Sequence, residues 1–254
     1  MASVFFLVAF LAAGLFGAAQ PATGIPTEII QLTQFGPALG VAVLALCWPR
    51  RTRDLLAGAF RVRVGAGRGP GGAGRGLLMV ATAPLIIGLC VAVYAAVTGD
   101  ARFTRPSALD NPFLVIVVAQ LVGACAEEIG WRCLLQPLLR TRFGPLASSV
   151  VVGVLWGVWH LPVFAEGPGY AGGFVLAAVS MSVVMGLALE RVRANRLLLA
   201  GGFHTLINLG MLLFMDEESG AVVPMVMLGA SCLAAALVWA LATASIHRMS
   251  GHAR

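Results

Sequence analysis

Along the chain, apolar residues gather into eight runs separated by short polar or glycine-rich stretches. The runs lie near 2–19, 29–48, 77–97, 112–139, 145–164, 172–189, 197–215 and 222–243. Each supplies about 20 residues, enough to cross a ~30 Å hydrocarbon core at ~1.5 Å per residue. The pattern predicts an all-α, polytopic membrane helical bundle of about eight transmembrane helices. The first two runs and the loop after them form an N-terminal region, 1–76. The other six form a core, 77–246.

Composition supports this reading. The chain is 59% hydrophobic and 11% charged, with a mean hydropathy of +0.91, whereas soluble domains carry about 25% charged residues. The net charge of +6 does not point to nucleic acid, because the charged bases are all arginines and all but Arg132 lie between spans or in the tail. Arg50, Arg51, Arg53, Arg61, Arg63, Arg68 and Arg75 fall in 49–76. Arg140 and Arg142 follow the fourth span, Arg191, Arg193 and Arg196 the sixth, and Arg248 and Arg254 the eighth. Arg102, Arg105 and the acidic "DEES" of Asp216–Ser219 fall in the alternate loops. Arginine excess marks cytoplasmic loops, so the expected protein is a multi-pass cell-membrane protein with both termini cytoplasmic.

Several features carry less. "GLFGAAQPA" offers small residues suited to leader cleavage, but no basic residue precedes the apolar run, which favours a retained span. "GAGRGPGGAGRG" (65–76) is low-complexity, and no lysine with Ser or Thr follows it as a phosphate loop requires. Cys47, Cys90, Cys125, Cys133 and Cys232 form no Cys-x-x-Cys pair and read as packing residues. Ser231 of "GASC" has its only downstream histidines in the tail, so it too reads as packing.

The chemistry lies where polarity interrupts the spans. "CAEEIGWRCLLQ" places Glu127, Glu128 and Arg132 inside the fourth run, "GVLWGVWHLP" places His160 in the fifth, and "GGFHTLINLG" places His204 and Asn208 in the seventh. Charged groups in hydrocarbon are costly and mark function or pairing. Glu128 and Arg132 are four apart, so they share a helix face and can pair. Glu127 is turned ~100° away and is left as the free carboxylate. His160 precedes Leu161-Pro162, where a helix should end. Gly153 and Gly157, spaced as GxxxG, allow close approach of another helix. Lipid offers these polar groups no partner, so the three spans should converge.

These residues resemble a known family. "EEIGWR" fits EExxxR and "HTLIN" fits HxxxN. "WGVWH" approximates FxxxH, with Trp156 in the Phe position. All three, in this order, resemble the CPBP intramembrane proteases, the group of type II CAAX prenyl endopeptidases and bacterial bacteriocin-processing or self-immunity proteins. The resemblance covers about 110–215. It implies peptide-bond hydrolysis at or in the membrane, with Glu127, His160, His204 and Asn208 as catalytic residues and Glu128 and Arg132 in support.

Amide hydrolysis needs a base for water and donors for the oxyanion. One version uses Glu127 and His160 on the water, with His204 and Asn208 as donors. Another places zinc on His160, His204 and Glu127. No HExxH is present, and the sequence leaves both open. The expected partners are the membrane and a peptide or membrane-protein substrate. The lysine-free, Ala-, Gly- and Arg-rich composition suggests a GC-rich bacterial source. A proton-coupled transporter and a non-catalytic immunity or interaction protein remain as alternatives. Substrate identity and oligomeric state are not legible.

Overall fold

The computed structural model describes residues 1–61, 73–215 and 221–252. Most of the glycine-rich 65–76 stretch and the acidic 216–219 stretch lie outside the described residues. Every regular element described is helical: α1 (Ala2–Thr23), α2 (Gly36–Cys47), α3 (Pro49–Leu55), α4 (Ala73–Thr98), α5 (Phe113–Gly130), α6 (Gln136–Leu139), α7 (Pro145–Trp159), α8 (Pro168–Leu189), α9 (Arg196–Phe214) and α10 (Val222–His252). The protein is an all-α polytopic bundle.

Local chemistry sets the helix ends. Proline stands in the first turn of α2, α3, α6, α7 and α8, where its missing N–H costs nothing. Helix α1 stops at Gly24, whose φ of 68° is left-handed and suits glycine at a C-cap.

Six segments are long and apolar enough to span: Ala2–Thr23, Gly74–Thr98, Phe113–Leu139, Pro168–Leu189, Arg196–Phe214 and Val222–Ser245. Two of the eight expected spans are shorter than the sequence pattern implied, as Leu32–Cys47 and Pro145–Trp159. At ~1.5 Å per residue they reach ~22–24 Å, less than a ~30 Å core. The first loses its opening residues to the turn before Leu32. The second ends at Trp159, and a 3-10 segment, Leu161–Glu166, continues past Pro162.

The chain ends of these helices gather at two poles. At one, Asn195 and Leu197 N–H donate to the carbonyls of Arg61 and Ala59, Arg140 pairs with Glu190, and Arg75 reaches the Leu187 carbonyl. At the other, Gln20 holds the backbone of Ile25, Ile30 and Leu32, Gln120 faces Glu28 and Ile29, and Thr104 N–H donates to Leu213. The connections therefore alternate between the poles, and the arginine-rich ones share one of them.

Helix α8 is the most enclosed of the long apolar helices. Gly153 admits α8 against α7: a Cβ there would come within 2.6 Å of the Val179 Cα. The N-terminal helices also pack on this core. Phe5 of α1 meets the Trp131 ring edge-on at 5.4 Å, and Trp131 meets Trp159 at 5.9 Å.

Candidate active site

The fourth span changes helical geometry at the motif itself. Between α5 and α6 the chain makes a π-helical turn, Trp131–Leu135, with Gln136 N–H donating to the Trp131 carbonyl. Pro137 is the physical cause we assign. Its ring disfavours a regular α-helical continuation, and it has no N–H to offer the Arg132 carbonyl five residues back. Arg196 of α9 supplies the missing donor, at 3.2 Å. The turn thus ties the start of α9 to the segment that carries the glutamates.

Glu127 and Glu128 are both buried, at 1% and 0% exposure, and have different partners. Glu128 Oε2 lies 3.4 Å from Arg132 Nε, and its Oε1 accepts from His204 Nδ1 at 3.0 Å. One carboxylate therefore bridges a guanidinium and an imidazole. Glu127 Oε2 accepts instead from the Trp156 indole N–H at 2.7 Å. Its Oε1 accepts no hydrogen bond among the described residues.

Trp156 is the hub of the cluster. Its ring lies under the Arg132 guanidinium, 4.7 Å from centroid to carbon. It meets His204 at 5.1 Å and His160 at 5.9 Å between centroids, both edge-on. His160 caps the end of α7 with φ −80° and ψ 65°, and its ring also contacts Trp159 and Phe174. Its Nδ1 lies 2.9 Å from the Trp156 carbonyl. A carbonyl only accepts, so Nδ1 carries the proton and Nε2 is left as a base.

The structure thus brings Glu127, Glu128, Arg132, His160 and His204 around one indole. Asn208, one turn beyond His204 on α9, donates its amide to Gln120 Oε1 at 3.0 Å. Gln120 captures it because it is the polar partner available on the facing α5, two turns from Glu127. Sequence reasoning missed Gln120 by counting only ionisable groups. The Trp156 N–H was missed as well, although a buried indole N–H generally needs an acceptor.

Among the described residues, no three His, Cys, Asp or Glu side chains are placed to hold a metal ion. The zinc version would draw on His160 Nε2, His204 Nε2 and Glu127 Oε1, which these contacts leave unused, while each histidine's Nδ1 is held by a carbonyl or carboxylate. A cavity of about 550 Å³ at α2 and α3 is lined by residues such as Thr52, Arg53 and Phe60 and includes none of the cluster.

Residues 109–210 match the family model described as type II CAAX prenyl endopeptidase Rce1-like. Over that stretch the chain is similar to the CPBP group of membrane proteins. The match takes in the α5, α7 and α9 motifs. The chain is also similar to lysostaphin resistance protein A of Staphylococcus epidermidis, 23% identical over 222 residues, covering 87% of this chain and 56% of that protein. Lysostaphin resistance protein A of Staphylococcus aureus is 22% identical over 219 residues, 85% of this chain and 50% of that one. The chain spans about half the length of these curated relatives.

Proposed function

We propose that the protein is an intramembrane endopeptidase that hydrolyses a peptide bond at or in the membrane with a water activated by Glu127. The observation that carries the reading is the contrast between adjacent buried carboxylates. Glu128 is neutralised by Arg132 and His204, while Glu127 has one oxygen fixed by Trp156 and the other unengaged. A structural role alone would call for pairing both.

The chemistry follows from these atoms. Glu127 Oε1 and His160 Nε2 orient a water between them. As its oxygen bonds to the peptide carbonyl carbon, its proton passes to Glu127. His204, as an imidazolium beside Glu128, donates Nε2–H to the oxygen that becomes negative. When the C–N bond breaks, the proton held by Glu127 moves to the departing nitrogen, leaving an acid and an amine. Asn208 retains a second amide N–H beyond the one given to Gln120, which is available if substrate approaches from that side. The substrate class follows the family: a peptide or membrane protein, with prenylated CAAX sequences as the first probe. The arginine-rich pole faces the cytoplasm, and with it both termini.

The test uses the full chain reconstituted in vesicles with a farnesylated CAAX peptide. New protein termini are also mapped in membranes of cells expressing the chain or Glu127→Gln. Cleavage by the wild type that Glu127→Gln loses by at least about 100-fold is expected. Identical termini, with no peptide hydrolysis by either chain, would overturn the reading.

A second reading is favoured by the relatives' names, which report resistance rather than hydrolysis. In it, the cluster serves folding and the chain acts as a non-catalytic immunity protein. Any resistance conferred on host cells would then survive Glu127→Gln unchanged.

A further inference from the structure

At the arginine-rich pole lies a cleft of about 210 Å³ between the start of α4, the end of α8 and the last turns of α10. Arg140 and Glu190, on its rim, neutralise each other. Two guanidinium nitrogens of Arg140 reach the carboxylate at 2.6–3.1 Å. Arg75 and Arg191 remain as two cations lining the same cleft, with no carboxylate partner among the described residues. Arg75 is held rigidly. Its Nη2 donates to the Leu187 carbonyl at 3.3 Å and to Thr243 Oγ1 at 2.8 Å, and its guanidinium sits 5.1 Å from the Trp239 ring centroid. Its Nε is buried without a hydrogen-bond partner.

Two like charges held together beside an unsatisfied buried donor are unfavourable unless an anion joins them. The C-terminal carbonyls of α8 offset part of this, but they engage Arg75 alone. We propose that the cleft binds the phosphodiester headgroup of an anionic phospholipid from the leaflet at this pole. A lipid fits better than a free anion because the helices forming the cleft are apolar beside it. Leu78 stands one turn from Arg75, Leu146 next to Pro145, and Leu241 two residues before Thr243, all strongly exposed. They offer a surface for acyl chains directly below the headgroup. Basic pockets between helices at a charged membrane face recognise lipid phosphates in this way. The site is independent of the peptidase reading, since it shares no residue with the Trp156 cluster.

The test is native mass spectrometry of the full chain released from detergent supplied with equal dioleoyl-phosphatidylglycerol and dioleoyl-phosphatidylcholine. Retention of one phosphatidylglycerol in preference to phosphatidylcholine is expected. Arg191→Gln, at an exposed position, should weaken that preference about fivefold, the worth of one arginine at an anionic surface. Arg53→Gln, on α3 and outside the cleft, should leave it unchanged. Equal retention of the two lipids would overturn the proposal, as would equal losses from Arg53→Gln and Arg191→Gln. Thermal stabilisation by inorganic phosphate matching that by phosphatidylglycerol would replace the lipid with a free anion.

Discussion

Trp156 and Glu128 set the character of the site through one hydrogen bond and one ion pair. The Trp156 N–H holds Glu127 in a single rotamer, aiming its second oxygen away from the indole. Trp156→Phe keeps the ring contacts with Arg132 and His204 but deletes the donor. A hydrogen bond to a charged group is worth ~1.5–3 kcal/mol. We therefore expect kcat to fall about tenfold with KM little changed, measured on the reconstituted protein in the proposed peptide hydrolysis. An unchanged kcat would mean that Glu127 is oriented by something else. Glu128→Ala acts differently, because it strands Arg132 and removes the partner of His204. Breaking a buried pair costs ~3–5 kcal/mol, so a loss of folded yield and thermal stability should precede any effect on chemistry. Glu127→Gln, whose carbonyl still accepts from Trp156, should fold normally.

At the scale of elements, the site depends on how closely α9 approaches α5. A side chain at Gly201 would collide with Cys125 Sγ, and His204 stands three residues further along α9. Gly201→Ala should therefore cost ~1–3 kcal/mol by overpacking and draw the imidazole away from Glu128. Cys125→Ala in the same chain removes the colliding sulfur and should recover most of both stability and activity. Melting in detergent and peptide hydrolysis check the pair. Two single substitutions whose effects simply add would refute the contact. The π-helical turn belongs to this scale too. It exists because Pro137 interrupts the ladder one turn after Arg132, and Arg196 compensates from the neighbouring helix.

For the molecule as a whole, the alternation of the two poles sets the topology. Residues 59–61, 75, 140 and 187–197 are bonded together at one pole, and 20–32, 104, 120 and 213 lie toward the other. The proposed orientation puts the arginine-rich first pole in the cytoplasm. In a chain whose five free cysteines are replaced by alanine, Ala57→Cys should be labelled only from the cytoplasmic side. Ser107→Cys should be labelled only from the opposite side. Labelling of both from one side would break the topology.

The sequence by itself determined the fold class, the alternation of loops and the three spans that bear the chemistry. Those properties follow from chain composition: lipid forces helices on long apolar runs, and polar residues within them are costly enough to stand out. The Glu128–Arg132 pair was legible because four-residue spacing is a local property of one helix. The Glu128–His204 contact, the Trp156 bond to Glu127 and the Asn208 bond to Gln120 were decided only by tertiary structure. Each joins side chains from different helices, and their meeting depends on helix rotation, depth and crossing. Those are set by close approaches such as Gly153 of α7 against α8 and Gly201 of α9 against α5, which spacing along a single helix does not encode. The two short helices belong to the same class. Their apolar runs are long enough to span, but Pro162 and the turn before Leu32 end the helices inside them, because backbone hydrogen bonding rather than hydropathy fixes where a helix stops.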